Sequence, residues 1–310
     1  MNEIIEKTYR DIKSIKIQGA TNVAYALANA LKKYSDKVKA GGPREYIWEM
    51  EKAGYYLATA RDTEPMADNV VEFLIYHLKQ NSDLSLLDMK KYFKKLIEQF
   101  FVFSKEVEHR IEQNGIKLIK NKDNILTHCH ASTVIKILVF AKSHGRKFKV
   151  FSTETRPLFQ GRKTAQDLIK KHIKDTMLVD SSAMSVIAGQ TNVKIDKIIL
   201  GCDAISADGG CVNKVGSFGL ALAAKSRKIP LYIATPALKI NEDAKNLSAI
   251  KIEKRPAGEV WPKAPRNLQI YNFAFDKIPA NYITGYITEL GILKPRQLFA
   301  KIKMNYKWLF

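Results

Sequence analysis

A cysteine between two histidines closes an apolar run in NILTHCHAS, residues 124–132. Cys129 stands where a predicted strand meets the N-terminus of a predicted helix, and the positive end of a helix dipole can lower a thiol pKa. The residues from His130 to Thr133 could offer backbone N–H groups and hydroxyls to an anion. A nucleophile, a base and an inert buried cysteine all fit this position.

Two further roles for Cys129 have less support. Consecutive side chains at a strand end point in opposite directions, and no CxxC or HxxxH spacing accompanies the cluster, so we expect no metal site. A redox disulfide with Cys202 or Cys211 rests only on the chain having three cysteines. The chain also lacks GxxxxGK[ST] and GxGxxG motifs, so we expect no cofactor.

Asp203 follows a second apolar run, in IILGCDAISADGGCVNKVGS. A carboxyl group at the end of a parallel strand is a common catalytic placement, and it is also a common helix cap or loop anchor. Asn213 and Lys214 come just before a predicted helix. An amide, an ammonium and a helix N-terminus together suit a phosphate, although a capped turn with an exposed lysine fits equally well.

Three more segments carry candidate anion ligands. Arg156 precedes a proline that restricts its loop, and it could bind a phosphate or form a surface salt bridge. Gly19 breaks the pattern before a helix in IQGATNVA, which suits either an anion cradle or an N-cap turn. Arg61 lies in a loop between predicted helices.

The apolar periodicity divides the chain near residue 120. Before that point the spacing predicts helices, and Ser85 with Asp88 resembles a capping box that opens a helix of nearly 30 residues. After Gly115, short apolar runs alternate with helical stretches, as in a parallel sheet with crossover helices. We therefore predict an α/β protein, with an N-terminal helical domain over 1–120 and a domain built on a parallel sheet over 121–310.

Composition narrows the class of protein. The chain has 310 residues, of which 46% are hydrophobic and 26% charged, which predicts a well-packed core. The sequence contains neither a run of about 18 apolar residues nor a signal-peptide pattern, so we expect a cytoplasmic protein without a membrane span. Net charge is +20, of which +17 lies beyond residue 120. Because the lysines are scattered without interleaved aromatics, nucleic-acid binding is not expected.

The motifs together resemble one family. It comprises the archaeal ribose-1,5-bisphosphate isomerases, the methylthioribose-1-phosphate isomerases and the regulatory subunits of translation initiation factor 2B. The matching stretches follow in order along nearly the whole chain: IQGATNVA, ILTHCHAS, TETRPLFQGRKTA, LVDSSA, GCDAISADGGCVNKVGS, LYIATPALK and FDKIPANYITGYITELGI.

The resemblance implies an acid–base pair made of Cys129 and Asp203, which the isomerases have and the factor subunits typically lack. It also implies that the domain over 121–310 is a Rossmann-like catalytic domain, that it follows an N-terminal helical domain, and that the substrate is a phosphorylated pentose. The substrate-binding residues, with Arg156 added from its own motif, are then Gln18, Gly19, Ala20, Thr21, Arg61, Ala131, Ser132, Thr133, Arg156, Asn213, Lys214 and Lys239.

Two positions depart from the isomerase pattern. The isomerases usually have Arg where Gln18 stands and Asn where His130 stands, and IQG resembles the factor's alpha subunit. The expected function is conversion of ribose 1,5-bisphosphate to ribulose 1,5-bisphosphate. The alternatives are a non-catalytic factor-like subunit that binds a sugar phosphate or nucleotide, and a methylthioribose-1-phosphate isomerase.

The resemblance further implies a homo-oligomer, either a dimer or a hexamer. The tail LFAKIKMNYKWLF offers apolar surface for such contacts, or it packs on its own domain.

Overall fold

The computed structural model describes residues 2–61 and 64–310. The chain forms two compact units: the first contains Met1–Glu106, Leu238–Ile240 and Lys303–Phe310, and the second contains Val107–Ala237 and Asn241–Ile302. The boundary between Glu106 and Val107 falls inside the last helix of the helical region, whereas the predicted division was at residue 120. Two later segments, Leu238–Ile240 and Lys303–Phe310, also belong to the first unit.

The first unit is helical, as predicted. Its elements are α1 (Glu3–Lys13), α2 (Ala20–Lys37), α3 (Pro43–Ala58), α4 (Met66–Lys79) and the first part of α5 (Leu86–Gly115). The side chain of Asn2 caps α1 by accepting the N–H of Ile4 at 2.9 Å. Pro43 opens α3 at a position where its missing N–H costs nothing. Among the described residues, no helix combines the length and apolarity needed to cross a bilayer.

The predicted long helix is confirmed as α5, with 30 residues. Ser85 Oγ accepts the N–H of Asp88 at 3.2 Å, as a capping residue should. The aromatic stripe of α5 is core, since Phe93 and Phe100 are fully buried. The C-terminal tail also packs on its own chain: the ring of Trp308 lies 5.3 Å from that of Phe73 in α4.

The second unit is built on a sheet of seven strands in the order β10-β9-β7-β4-β1-β2-β3. All neighbouring strands are parallel except β10, which runs antiparallel to β9. The strands are β1 (Asn124–Thr127), β2 (Lys149–Thr153), β3 (Lys174–Leu178), β4 (Lys197–Leu200), β7 (Leu231–Ala234), β9 (Gly285–Thr288) and β10 (Gly291–Leu293). The connecting helices are α6 (Ser132–Ser143), α7 (Gln160–Lys170), α8 (Asp180–Ile187) and α9 (Ser217–Ser226), and α10 (Pro295–Asn305) follows the sheet.

The strand order reverses between β1 and β4. From β1 the chain goes outward through β2 to β3, and it then returns to the other side of β1 as β4 before going outward through β7 and β9. Loops that leave the carboxyl ends of two such strands diverge and open a crevice between them. This carboxyl end of the sheet is therefore the place to look for a site.

A smaller antiparallel sheet follows β4 along the chain. It consists of β5 (Ala204–Ile205), β6 (Cys211–Lys214) and β8 (Phe275–Ile278), with β6 in the middle. Its apolar face packs on a cluster that includes Leu247 and Ile250. This sheet holds the segment just after Asp203 in a fixed conformation.

Candidate active site

The two predicted acid–base residues follow the two strands at the point where the strand order reverses. Cys129 lies two residues after β1 and Asp203 three residues after β4, and these strands pair with Leu126 opposite Ile198. The side chains are close enough for the charge of Asp203 to act on the Cys129 thiol, as does the charge of Lys214. The fold thus brings a thiol, a carboxyl and an ammonium to one crevice.

Burial dominates the chemistry of Cys129. Although the residue reaches solvent in part, desolvation raises the pKa of its thiol to about 11. The nearby Lys214 lowers the thiol pKa and Asp203 raises it, both less strongly. In the free protein, burial therefore outweighs any lowering of the pKa by the helix dipole. At neutral pH the thiol is protonated, and a thiolate has to be generated before it can act as a base.

The backbone of Cys129 is strained and held from both sides. Its φ is 66°, in the left-handed region that a non-glycine residue seldom adopts. Its N–H donates to Thr155 Oγ1 at 2.9 Å, and its carbonyl accepts from Thr164 Oγ1 at 2.8 Å. Thr155, at the end of the neighbouring strand, is also left-handed with φ 63°. Strained residues of this kind cluster where side chains must be held for function.

A buried histidine connects these loops. His128 Nε2 donates to the carbonyl of Val215 at 2.8 Å, because a carbonyl can only accept. Burial lowers the His128 pKa and keeps the ring neutral, so Nδ1 accepts from Thr153 Oγ1 at 2.6 Å. Thr153 Oγ1 in turn lies 3.3 Å from Thr155 Oγ1. A chain of hydrogen bonds therefore runs from the loop before α9 to the amide of Cys129.

Asp180, the first residue of α8, holds the loop after β2. Its two carboxylate oxygens accept the N–H groups of Thr155 at 2.8 Å and Arg156 at 2.7 Å. The guanidinium of Arg156, a predicted phosphate ligand, donates to the carbonyl of Val260 at 2.8 Å. It also lies 5.0 Å from the ring of Phe159. The guanidinium thus contacts its own loop and the distant Val260, while the Arg156 N–H shares the Asp180 carboxylate with that of Thr155.

His130 turns away from His128 and contacts α7. The hydroxyl proton of Thr164 goes to the Cys129 carbonyl, so His130 Nδ1 must be the donor to Thr164 Oγ1, at 3.2 Å. Its Nε2 lies 3.9 Å from a carboxylate oxygen of Asp167. Desolvation and the charge of Lys163 lower the His130 pKa. The two histidines beside Cys129 therefore have separate partners.

The start of α6 provides the predicted row of backbone donors. Ala131 is the N-cap, and no side chain of the described residues caps the helix there. The first turn contains Ser132, which is exposed, and Thr133. Gly201 makes room on the facing loop, because a Cβ added there would lie 2.5 Å from that of Ala131 and 3.8 Å from Asn213 Oδ1. The start of α6 and Asn213 thus both lie close to Gly201.

The helix start after Lys214 is a capped turn, the second of the two alternatives that the sequence left open. The expected helix forms as α9, but Asp276 on β8 accepts the N–H groups of Gly216 at 2.8 Å and Phe218 at 2.9 Å. A protein carboxylate therefore occupies the position predicted for a phosphate. Asn213 Nδ2 donates to Ser217 Oγ at 2.8 Å. The Lys214 ammonium lies 4.6 Å from the centre of the Phe275 ring.

The remaining predicted ligands belong to the first unit. Gly19 has φ 84° and is the N-cap of α2, which explains the glycine in the Gln18–Thr21 segment. Arg61 forms an ion pair with Glu64 at 2.8 Å, and both side chains are largely buried. Lys239 closes a short 3₁₀ helix beside Leu238, whose carbonyl accepts from Asn69 at 2.8 Å.

Sequence reasoning missed the residues that hold the site together. Thr153 is the last residue of β2, and Thr155 and Asp180 lie two residues after β2 and β3. Their placement in FSTET and LVDSSA was a signal that could have identified them. Asp276 gave no such signal, since its partners lie 58 and 60 positions away along the chain.

Comparison with known proteins agrees with this architecture. The sequence profile described as the Initiation factor 2 subunit family matches residues 16–295. A ribose 1,5-bisphosphate isomerase of Methanocaldococcus jannaschii is 34% identical over 309 residues, which cover 99% of this chain and 97% of that protein. A 5-deoxyribose 1-phosphate isomerase of Petrotoga mobilis is 33% identical, with coverage of 93% and 86%.

Two solved structures from Pyrococcus horikoshii OT3 share the fold. Translation initiation factor eIF-2B superposes with a TM-score of 0.81 at 25% identity and covers 96% of this chain and 99% of that one. The 5-methylthioribose 1-phosphate isomerase gives a TM-score of 0.79 at 26% identity, with coverage of 98% and 87%. The predicted class, an N-terminal helical domain followed by a Rossmann-like parallel sheet, is confirmed. On this match over most of its length, the chain belongs to the Initiation factor 2 subunit family.

Proposed function

We propose that the chain is a sugar-phosphate isomerase that converts ribose 1,5-bisphosphate to ribulose 1,5-bisphosphate. The observation that carries the proposal is the placement of Cys129 and Asp203 after paired strands, where the strand order reverses. An aldose–ketose isomerisation needs one group to move a proton at carbon and another to move a proton at oxygen. The relative from Methanocaldococcus jannaschii, named for this substrate, supports the choice among sugar phosphates.

The reaction starts with opening of the furanose ring. Asp203, in its acid form, protonates the ring oxygen as the C1–O bond breaks. The Cys129 thiolate then removes the proton from C2, and the electron pair of that C–H bond forms a double bond between C1 and C2. The carboxylate takes the proton of the C2 hydroxyl to give the ketone, and the thiol returns its proton to C1. Both groups end in the states in which they began.

The raised pKa of Cys129 sets a condition on this mechanism. The thiol must lose a proton before it can act at C2, and Lys214 is the neighbouring charge that favours its loss. A shift of hydride from C2 to C1 is the competing route. Isomerisation in deuterium oxide separates the two, since proton transfer through the thiol introduces deuterium at C1 and a pure hydride shift does not.

Phosphate groups require donors near these residues. The uncapped start of α6, at Ala131, Ser132 and Thr133, supplies backbone N–H groups beside the thiol. Asn213 and Lys214 add an amide and a positive charge from β6. We extend the proposed substrate contacts to Arg61, Lys239 and the Gln18–Thr21 segment.

One assay tests the proposal. Purified protein is incubated with ribose 1,5-bisphosphate, 5-deoxyribose 1-phosphate or methylthioribose 1-phosphate, and the ketose is followed by NMR. We expect the ketose from the bisphosphate, and we expect Asp203→Asn to abolish its formation. No ketose from the bisphosphate with wild-type protein would overturn this assignment. Product from another member of the panel would reassign the substrate.

A second candidate is a subunit that binds a sugar phosphate or nucleotide without turnover. Gln18 favours it, because the isomerases usually have Arg there, and so does the likeness to the initiation factor eIF-2B structure. Calorimetric binding of ribose 1,5-bisphosphate without any ketose would support this candidate. Turnover that disappears in Asp203→Asn would exclude it.

Self-association is part of the same proposal. The second unit exposes Val179, Met184 and Leu222, apolar side chains of the kind that subunit interfaces cover. We propose a homo-oligomer, and light scattering coupled to size-exclusion chromatography distinguishes a dimer from a hexamer. A monomer at micromolar concentration would overturn the oligomer.

A further inference from the structure

The amino end of the sheet, opposite the candidate active site, is lined with lysines. Lys149 opens β2 and pairs in register with Lys174, which opens β3, and also with Asn124 of β1 on its other side. Strands in a sheet lie about 4.8 Å apart, so the two lysines are direct neighbours. Side chains that are 25 positions apart in the chain thus form one row.

The loops that precede these strands extend the row. The N–H of Lys122 donates to the carbonyl of Lys147 at 2.6 Å, and the carbonyl of Lys194 accepts from Asn124 Nδ2 at 2.7 Å. Lys171, at the end of α7, precedes β3. Eight exposed cations make up this surface, which we call the basic end: Lys120, Lys122, Arg146, Lys147, Lys149, Lys171, Lys174 and Lys194.

Few carboxylates offset these charges. Asp123 already pairs with the buried Lys197 and accepts the N–H of Lys120. Asp196 accepts the N–H of Asn124 at 2.9 Å. Within the described part of the chain, no cation of the basic end forms an ion pair with a carboxylate. The surface therefore has a surplus of unneutralised positive charge.

We propose that the basic end binds the phosphate backbone of a double-stranded nucleic acid. The row crosses β4, β1, β2 and β3, a width of about 14 Å, which exceeds what one sugar phosphate can contact and suits a duplex. Phe148, between Lys147 and Lys149, is half-buried. The basic end thus lacks the exposed aromatic platform on which single-stranded bases stack. Binding through phosphates alone is independent of sequence and strongly dependent on salt.

The inference is independent of the isomerase proposal. The cations stand at the opposite end of the strands from Cys129 and Asp203, and they share no residue with the candidate active site. These lysines are scattered along the sequence, and that spacing argued against nucleic-acid binding. In the fold they lie on one surface because four parallel strands begin side by side.

The test uses the full chain and a fluorescein-labelled RNA duplex of 20 base pairs. Anisotropy titrations over a range of KCl concentrations give the affinity and its salt slope. We expect the variant Lys122→Gln/Lys149→Gln/Lys174→Gln to bind at least about tenfold more weakly at 0.1 M KCl. Its plot of log K against log [KCl] should be less steep by about 2–3, because three phosphate contacts are lost.

A matched control removes the same charge elsewhere. Lys33, Lys37 and Lys39 are exposed in and just after α2 in the first unit, and their triple glutamine variant should bind the duplex as the wild type does. Equal weakening in both variants would overturn the assignment to the basic end, as would absence of duplex binding at 50 mM KCl. Tighter binding to a single strand of the same length, or to phosphatidylserine vesicles, would replace the duplex as the partner. The melting temperature of each variant confirms that it is folded.

Discussion

The two ends of the sheet in the second unit hold their polar residues in opposite ways. At the carboxyl end, the Cys129 backbone is hydrogen-bonded through both its N–H and its carbonyl, and a left-handed residue lies two positions after each of two neighbouring strands. At the amino end, exposed lysines extend from the loops without carboxylate partners among the described residues. One end is fixed by contacts, and the other is defined by its charge.

The difference follows from what each end has to do. Proton transfer requires reacting atoms within hydrogen-bond distance. The reacting side chains must therefore be held in position before the substrate binds, so that little conformational entropy is lost on binding. The electrostatic attraction between a positively charged surface and a polyanion acts over several ångströms, so it does not require side chains that are held in one position. Strain and buried hydrogen bonds therefore mark a candidate site for chemistry, and unpaired surface charge marks a candidate surface for binding.

Removing the thiol should have the largest effect. We expect Cys129→Ser to lower kcat for ribose 1,5-bisphosphate by about 10²–10⁴-fold, because a serine hydroxyl is a far weaker acid and base. Cys211→Ala is the control, since this buried cysteine on β6 is outside the proposed chemistry. Steady-state kinetics measures both, and equal losses in the two variants would contradict a catalytic role for Cys129.

The pH dependence sharpens the comparison, because it depends on the desolvated Cys129 thiol at the carboxyl end. With the Cys129 pKa raised to about 11, the reactive thiolate is the minor form at neutral pH. Its fraction, and with it kcat/KM, should rise about tenfold per pH unit between pH 7 and 9. Lys214→Gln should move this rise to higher pH, since Lys214 lowers the thiol pKa. A profile that is flat over this range is incompatible with the free thiolate as base.

Overpacking at Gly201 tests how tightly the carboxyl end is built. A Cβ at this position would lie 2.5 Å from that of Ala131, so Gly201→Ala should reduce the free energy of unfolding by about 1–3 kcal/mol. Adding Ala131→Gly should recover part of the loss, because it removes the clashing carbon. Urea unfolding of the single and double variants measures the recovery, and losses that simply add would contradict the contact.

Removing the hydrogen bond from the Cys129 N–H to Thr155 Oγ1 should have a smaller effect. Thr155→Val keeps the shape of the side chain but leaves the Cys129 N–H without its acceptor, at a cost of about 1–3 kcal/mol. We expect kcat to fall with little change in KM, and Thr155→Ser, which retains the hydroxyl, to restore it. If serine and valine variants have the same kcat, the hydrogen bond does not position Cys129.

The smallest effect on isomerisation should come from the amino end. The Lys122→Gln/Lys149→Gln/Lys174→Gln variant changes none of the contacts of Cys129 or Asp203, so its kcat and KM should match those of the wild type within about twofold. The rate of ketose formation, followed by NMR over a range of substrate concentrations, gives both constants. A large loss of turnover would mean that the two ends of the sheet are functionally coupled, which would contradict their independence.

Local patterns in the sequence predicted much of the candidate site. The alternation of apolar runs after Gly115 predicted the strands, and the strand-end rule put Cys129 and Asp203 at the same end of the sheet. The capping pair of Ser85 and Asp88 could also be predicted from the sequence, since the two residues are three positions apart. Such features depend on neighbours along the chain, so a single sequence contains the information they need.

Other features depended on partners that are distant along the chain. The helix dipole suggested a lowered Cys129 pKa, but burial by the whole fold raises it. The sequence left open whether the start of α9 binds a phosphate or is a capped turn, and Asp276 caps it from β8. The support of Cys129 by Thr155 and Thr164 likewise spans 26 and 35 positions.

The sequence by itself determined the order of elements, the α/β class and the residue types that can move protons, because periodicity and motif spacing are local. Only the tertiary structure decided which charges share a surface, how far the thiol is desolvated and which helix N-termini are already capped. These properties arise from parallel strands that bring distant segments to a common end. The same geometry that places Asp203 beside Cys129 also places Lys149 beside Lys174.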